Sequence, residues 1–239
     1  MLGGAEHTLI DFIGEIKDDY GSTIQNLRDK VDMKLSGENA SQLQKRSIEY
    51  DTGFTLLPGK YVIKFLARDS ETGRIGTYQA GFVIPNLNRE DKRIPISSVV
   101  LSSQRVNLRD ALFNASKDKD KSESTNPLVQ DGQKLIPSVT RVFSSSREMF
   151  VYLQAYQPAA TDVQPLVAYV TFYRGGTKSF ETQALTVSET LNNRLRTMPL
   201  KFSLPLSKLQ PGEYVCQVTV LDPGTQKAAY WQAPVMIIP

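Results

Sequence analysis

One segment of this sequence occurs twice. Leu57-Pro58-Gly59-Lys60-Tyr61-Val62, running on to Ala67-Arg68-Asp69, returns 153 residues later as Gln210-Pro211-Gly212-Glu213-Tyr214-Val215, running on to Val220-Leu221-Asp222. Leu56 matches Leu209. Each copy continues through a turn into an aromatic segment, Thr77-Tyr78-Gln79-Ala80 and Tyr230-Trp231-Gln232-Ala233. Each then reaches an apolar end, Phe82-Val83-Ile84-Pro85 and Met236-Ile237-Ile238-Pro239, the last match needing one residue of slack. A repeat this widely spaced predicts two related units in one chain.

Each copy has a physical meaning. Pro and Gly make a tight turn between two strands. The Tyr that follows packs inward while its hydroxyl bonds backbone at the corner, as in the tyrosine corner of immunoglobulin-like sandwiches. Pro58, Gly59, Tyr61, Pro211, Gly212 and Tyr214 are therefore expected to be structural. The remaining segments favour strands. Tyr61, Ile63, Phe65 and Ala67 alternate with Lys64 and Arg68 across 60–69, the two-residue period of a strand. Asp69-Ser70-Glu71-Thr72-Gly73 is turn chemistry and 74–84 the return strand. Further strands are expected over 8–17, 98–105, 138–145, 148–156, 166–174, 178–187, 199–206, 213–221 and 228–238. Asp131-Gly132, Gln157-Pro158, Gly175-Gly176 and Asp222-Pro223-Gly224 divide them. Helix is confined to short turns at 39–46 and 107–115. The expected fold is all-β, two tandem immunoglobulin-like sandwiches.

The repeat sets the domains at 1–86 and 96–239, with a polar linker at 87–95. The first is much the shorter, so it is expected to be incomplete at its N-terminus. It would then carry an unpaired sheet edge for a missing segment or a partner strand to cover. Residues 107–127, rich in Lys, Asp and Ser, are expected to form a long exposed loop.

Composition limits the chemistry. Forty per cent hydrophobic and 22% charged residues suit a globular core. A net charge of +3, with bases scattered among acids, gives no nucleic-acid footprint. No apolar run is long enough to cross a membrane. With one Cys and one His, a zinc site of the usual ligands lacks material, and a Ser-His-Asp or Cys-His site would have to use His7. Cys216 matches Ile63 in the repeat and is expected to be a buried, inert thiol. Asp118, Asp120 and Ser122 have calcium-loop spacing, but Glu123 stands where Gly is needed and Val129 where Glu is needed. Gly175-Gly176 sits between strands, as a hairpin turn rather than a phosphate loop. Asp18-Asp19 lies in turn context. No catalytic, cofactor or metal residue is assigned, and no enzymatic activity is expected. Six strand aromatics remain: Tyr152, Tyr156, Tyr169, Tyr173, Tyr230 and Trp231. Alternation pairs Tyr152 with Tyr156 on one face, and Tyr169 with Tyr173 on one face. Facing inward they are core; facing outward they are a docking platform for protein or carbohydrate.

Several segments resemble a known family. Ile48 to Tyr61, Glu71 to Thr77, Ser98 to Arg105, Asn126 to Gly132 and Phe172-Tyr173-Arg174-Gly175-Gly176 are similar to the C-terminal β-rich region of bacterial von Willebrand factor A-related proteins of the Acidobacteria type. The resemblance covers nearly the whole chain. It implies an extracytoplasmic structural, adhesion or protein-interaction module. The partner would be another protein or an A-type domain upstream, which would hold the family's metal site. This sequence itself shows no signal peptide at Met1-Leu2-Gly3-Gly4. The alternative is a carbohydrate-binding accessory module of a secreted enzyme, stacking sugars on the tyrosines and Trp231.

Overall fold

The computed structural model describes residues 6–35, 52–87, 92–107, 126–130, 132–158, 162–191 and 193–239, with backbone alone at 6–8 and 33–35. The chain is all-β, with sixteen strands and one 3-10 turn at Leu206–Lys208 among the described residues. It divides into two compact units, one holding the first four strands and the other the remaining twelve. The helical turn expected at 39–46 lies outside the described residues. So does most of the loop expected at 107–127, including 108–115 and the Asp118, Asp120 and Ser122 set.

The first unit is an antiparallel sheet of β1 (Glu6–Asp18), β2 (Thr23–Leu35), β3 (Gly59–Asp69) and β4 (Ile75–Ile84), ordered β2-β1-β3-β4. Alternation puts Phe12, Ile16 and Tyr61 on one face, where all three are buried. Phe12 packs on Phe65 and Tyr61 stacks on Phe82, with ring centroids 5.7 and 5.6 Å apart. The turn after β3 forms as its residues dictate. Asp69 accepts from the Thr72 hydroxyl at 2.5 Å and from the Glu71 N–H at 3.0 Å, and Gly73 takes φ +70°. Asp18 likewise closes the β1–β2 turn, accepting from the N–H groups of Tyr20 and Ser22 at 3.0 and 2.8 Å. Its place in a turn is structural. β2 was not expected. Leu27, Val31 and Leu35 recur every four residues, a spacing that fits a helix face as well as every second position of a strand.

The second unit is a two-layer sandwich. One sheet is β14 (Thr197–Pro205), β10 (Glu148–Tyr156) and β5 (Val100–Ser102). The other orders β12 (Thr177–Glu181), β11 (Leu166–Arg174), β15 (Gly212–Asp222), β16 (Lys227–Ile238) and β9 (Val142–Ser144), with β13 (Leu185–Val187) also on β11. A small sheet of β6 (Gln104–Asn107), β8 (Gln133–Ile136) and β7 (Val129–Gln130) completes the unit. Met149, Leu153, Leu166, Val170, Phe172, Leu200 and Val218 are among the fully buried side chains of its core. Each such large side chain contributes about 1.5–3 kcal/mol by leaving water.

Several boundaries differ from expectation for local reasons. The strand expected at 98–105 breaks because the Ser102 hydroxyl accepts from the Gln104 N–H and donates to the Gln104 carbonyl, both at 3.0 Å. The one expected at 178–187 breaks at Thr182, whose hydroxyl accepts from the Val170 N–H at 3.0 Å. The one expected at 138–145 shrinks to β9, entered through Arg141 at φ +54°. Part of the expected linker is built into the second unit. Ile94 is 5% exposed in its core, and its N–H donates to the Ala228 carbonyl at 3.4 Å.

The repeat is the same in space. Tyr61 Oη donates to the Leu57 carbonyl at 2.8 Å, and Tyr214 Oη to the Gln210 carbonyl at 2.9 Å. Gly59 faces Ile84 and Gly212 faces Ile237, so one 153-residue offset relates both partners and the slack in the sequence match disappears. β1 lies on β3 with Ile16 opposite Ile63, as β11 lies on β15 with Phe172 opposite Cys216. The order β2-β1-β3-β4 therefore corresponds to β12-β11-β15-β16. Among the described residues the first unit has this layer alone, whereas the second faces it with β14, β10 and β5.

Candidate functional site

Period-two alternation sorts the central strands of the larger sheet. Ala168, Val170 and Phe172 on β11, with Tyr214, Cys216, Val218 and Val220 on β15, point into the core. The residues between them point away from it, and paired register lines them up in ranks. Tyr169 lies opposite Thr219, which lies opposite Tyr230. The next rank is Thr171, Gln217 and Gln232, and the next Tyr173, Val215 and Pro234.

The middle rank is a hydrogen-bonded floor. Gln232 Nε2 donates to Gln217 Oε1 at 2.6 Å, and Gln217 Nε2 donates to Thr219 Oγ1 at 3.0 Å. Thr171 Oγ1 donates to Glu181 Oε2 at 2.9 Å, while Lys178 reaches the other carboxylate oxygen at 3.1 Å. The Thr171 hydrogen bond, with Lys178, holds the Glu181 carboxyl below its ordinary range. Thr171 and Thr219 are fully buried beneath their neighbours, so the floor is fixed before anything binds.

Beside the floor lies an open groove of about 530 Å³ whose lining includes Val139, Arg141, Tyr173, Val215, Pro234 and Met236. Val139 is 91% exposed, and Val142 and Val215 are 40% exposed each. Arg141 takes a left-handed conformation at φ +54°. The flanking charges are Arg141 and Glu213.

The six aromatics separate. Tyr169, Tyr173 and Tyr230 share the outward face, and Tyr230 is 64% exposed. Trp231 points the other way and, partly buried, packs on the core. Tyr152 and Tyr156 alternate with Val151, Leu153 and Ala155 and so lie on the outer side of β10. Tyr152 is nevertheless buried, and a chain of bonds ties the pair: Tyr156 Oη donates to Gln154 Oε1, and Gln154 Nε2 to Tyr152 Oη, each at 3.0 Å. Burial, then Tyr152, pushes the Tyr156 phenol above its ordinary pKa. Nearby, Arg105 lies 4.2 Å over the Phe150 ring at the wall of a cavity of about 190 Å³ that also takes in Lys201.

Cys216 is fully buried, and burial pushes its thiol up to about 12. Gly175 and Gly176, at φ +57° and +81°, form the β11–β12 hairpin turn, the backbone a two-residue turn of this kind requires. The His7 side chain lies outside the described residues. Among those described, no three His, Cys, Asp or Glu side chains come together to hold a metal ion, and no helix is long and apolar enough to cross a membrane. Sequence reasoning missed Gln217, Gln232, Thr219, Val139 and Val215. The alternation of Gln217 and Thr219 against Cys216 and Val218 was the available signal. No protein-family model matches the chain, and no curated protein matches it.

Proposed function

We propose that the chain is a non-catalytic, extracytoplasmic protein-interaction and scaffolding module, the C-terminal part of a von Willebrand A-related protein. The observation that supports it is the groove in which the exposed Val139 and Val215 lie against Pro234 and Tyr173. Aliphatic side chains gain by covering apolar polypeptide side chains and offer little to a hydroxyl-rich ligand. The prebonded floor adds rigidity, which lowers the entropy lost on docking.

A second reading, carbohydrate binding, has its own support in Tyr169 and Tyr230. They flank Thr219 across two strand spacings, about 10 Å, next to the amides of Gln217 and Gln232.

Selection of displayed random peptides on the full chain, beside electrophoresis in polysaccharide-containing gels, separates the two. The protein reading expects peptides whose binding falls at least about tenfold with Val215→Glu, and no retardation by polysaccharide. Retardation lost on Tyr169→Ala or Tyr230→Ala, with no peptide recovered, replaces it by the second reading.

A further inference from the structure

The two related sheets treat one edge differently. In the second unit the outer edge of β16 is covered near both of its ends. Residues 93–94 pair in parallel at Ala228, and β9 pairs in parallel at Met236–Ile238. The Met236 N–H donates to the Arg141 carbonyl at 3.0 Å, and the Ser145 N–H to the Ile238 carbonyl at 2.7 Å. Between these covers stands Pro234, which has no N–H to offer. The outward-facing backbone positions of β16 are thus Ala228, Pro234, Met236 and Ile238 and those in step with them.

The 153-residue offset carries these onto Ile75, Gly81, Val83 and Pro85. There, among the described residues, no strand lies beyond β4. Gly81 replaces Pro234, so a donor is restored where β16 has none. β4 contains no charged residue, and Val83 is 62% exposed. The opposite edge, β2, carries Arg28, Asp29, Lys30, Asp32 and Lys34. Natural sheets protect an edge with charge, proline or a covering segment. β2 has the first and β16 the other two, while β4 itself holds neither charge nor proline and, among the described residues, pairs with no covering segment.

We propose that the β4 edge is a strand-addition site for an extended, uncharged segment of another polypeptide. The segment runs parallel to β4 and bonds the outward N–H and C=O groups of Thr77, Gln79, Gly81 and Val83. Both covers of β16 run parallel, which sets the direction. The chemistry follows β9, whose Phe143 opposite Ile237 is 1% exposed. A large apolar side chain therefore belongs opposite Ile84, on the face that holds Tyr61 and Phe82, with small or polar residues on either side. Pro85 accepts through its carbonyl but donates nothing, which shifts the added ladder toward Gln79–Val83. This rests on the reading of the chain as a polypeptide-binding module. It uses the first unit and backbone pairing, so it fails or stands separately from the groove.

The test uses the full 15N-labelled chain and a capped synthetic peptide of residues 138–147 carrying Arg141→Gln and Arg147→Gln to leave it uncharged, whose own place on β16 is already filled. Expected is slowed amide exchange at Thr77, Gln79, Gly81 and Val83. A nitroxide at the peptide N-terminus should broaden the start of β4, and one at its C-terminus the end. Gly81→Pro, which the fold tolerates at the equivalent Pro234, and the exposed Val83→Lys should each weaken the peptide at least about tenfold. Three results overturn the proposal: protection at Met236–Ile238 instead, no protection at millimolar peptide, or protection of β4 that grows with chain concentration in the absence of peptide. The last makes a second copy the occupant.

Discussion

Gly59 and Gly212 occupy the same place in the repeat, yet their tolerance of a side chain should differ. Gly212 has φ +145°, and a Cβ there would come within 2.9 Å of an Arg174 guanidinium nitrogen. An L-residue held in that backbone region costs about 1–3 kcal/mol. The Arg174 clash is relieved by a flexible group, at the loss of its place 5.7 Å over the Tyr214 ring. Gly59 is outside the positive-φ region, and the nearest atoms to its added Cβ would be those of the Tyr61 ring and hydroxyl at 3.3–3.4 Å. Alanine in a compatible backbone gains about 0.4–1 kcal/mol from the unfolded state, which offsets that tight contact. Gly212→Ala should therefore destabilise the second unit by about 2 kcal/mol. With a urea slope of about 2 kcal/mol/M, its midpoint falls by about 1 M. The assay is built in, because the single tryptophan, Trp231, lies in β16 and reports that unit's unfolding by fluorescence. Gly59→Ala, followed by amide exchange of β3, should stay within about 0.5 kcal/mol of the parent. Equal losses at the two glycines, or a Gly212→Ala midpoint within about 0.3 M of the parent, would refute the reasoning from backbone conformation.

Two other expectations follow from the cores. Tyr61→Phe and Tyr214→Phe each remove one hydroxyl-to-carbonyl bond of equal geometry, so urea melts should show similar losses of about 1 kcal/mol, the first in β3 exchange and the second in Trp231 fluorescence. The Cys216 thiol, raised from 9.0 to about 12, should resist alkylation at pH 8 until urea unfolds the chain. As the folded thiol binds its proton more tightly than the unfolded one, stability at this site is full below about pH 9 and falls as pH rises toward 12. Cys216→Ala should remove that part of the alkaline slope in melts taken between pH 8 and 10.

Much of this fold is legible in its residues, and the exceptions have causes. The Pro-Gly-x-Tyr copies specify a turn, a strand start and a hydroxyl aimed back four residues, all of it local, and both tyrosines make that bond. β10, β11, β15 and β16 follow their alternation. β2 escaped because its apolar residues satisfy two periods at once. The break at Thr182 depends on one hydroxyl capturing an N–H from another strand, and nothing in its own segment announces it. The candidate face was half legible. Alternation places Tyr169 with Tyr173 on one side of β11, but which side is outward depends on where β14 and β10 lie, a long-range fact. Ile94 was assigned to a linker because its neighbours are charged, and only its seat beside Ala228 reveals otherwise.

The parallel covers of β16 also have a mechanical side. The last strand of the chain is held by β15 along one flank and by residues 93–94 and β9 along the other. Ser144 Oγ donates to the Pro239 carbonyl at 3.1 Å, securing the end itself. A pull between Arg141 and Pro239 runs along β9 and β16, which are parallel, and loads their cross-bonds in shear together. Antiparallel hairpins pulled at their open ends yield one bond at a time, whereas this arrangement must give way as a block. The end of β16 is thereby held against a lengthwise pull.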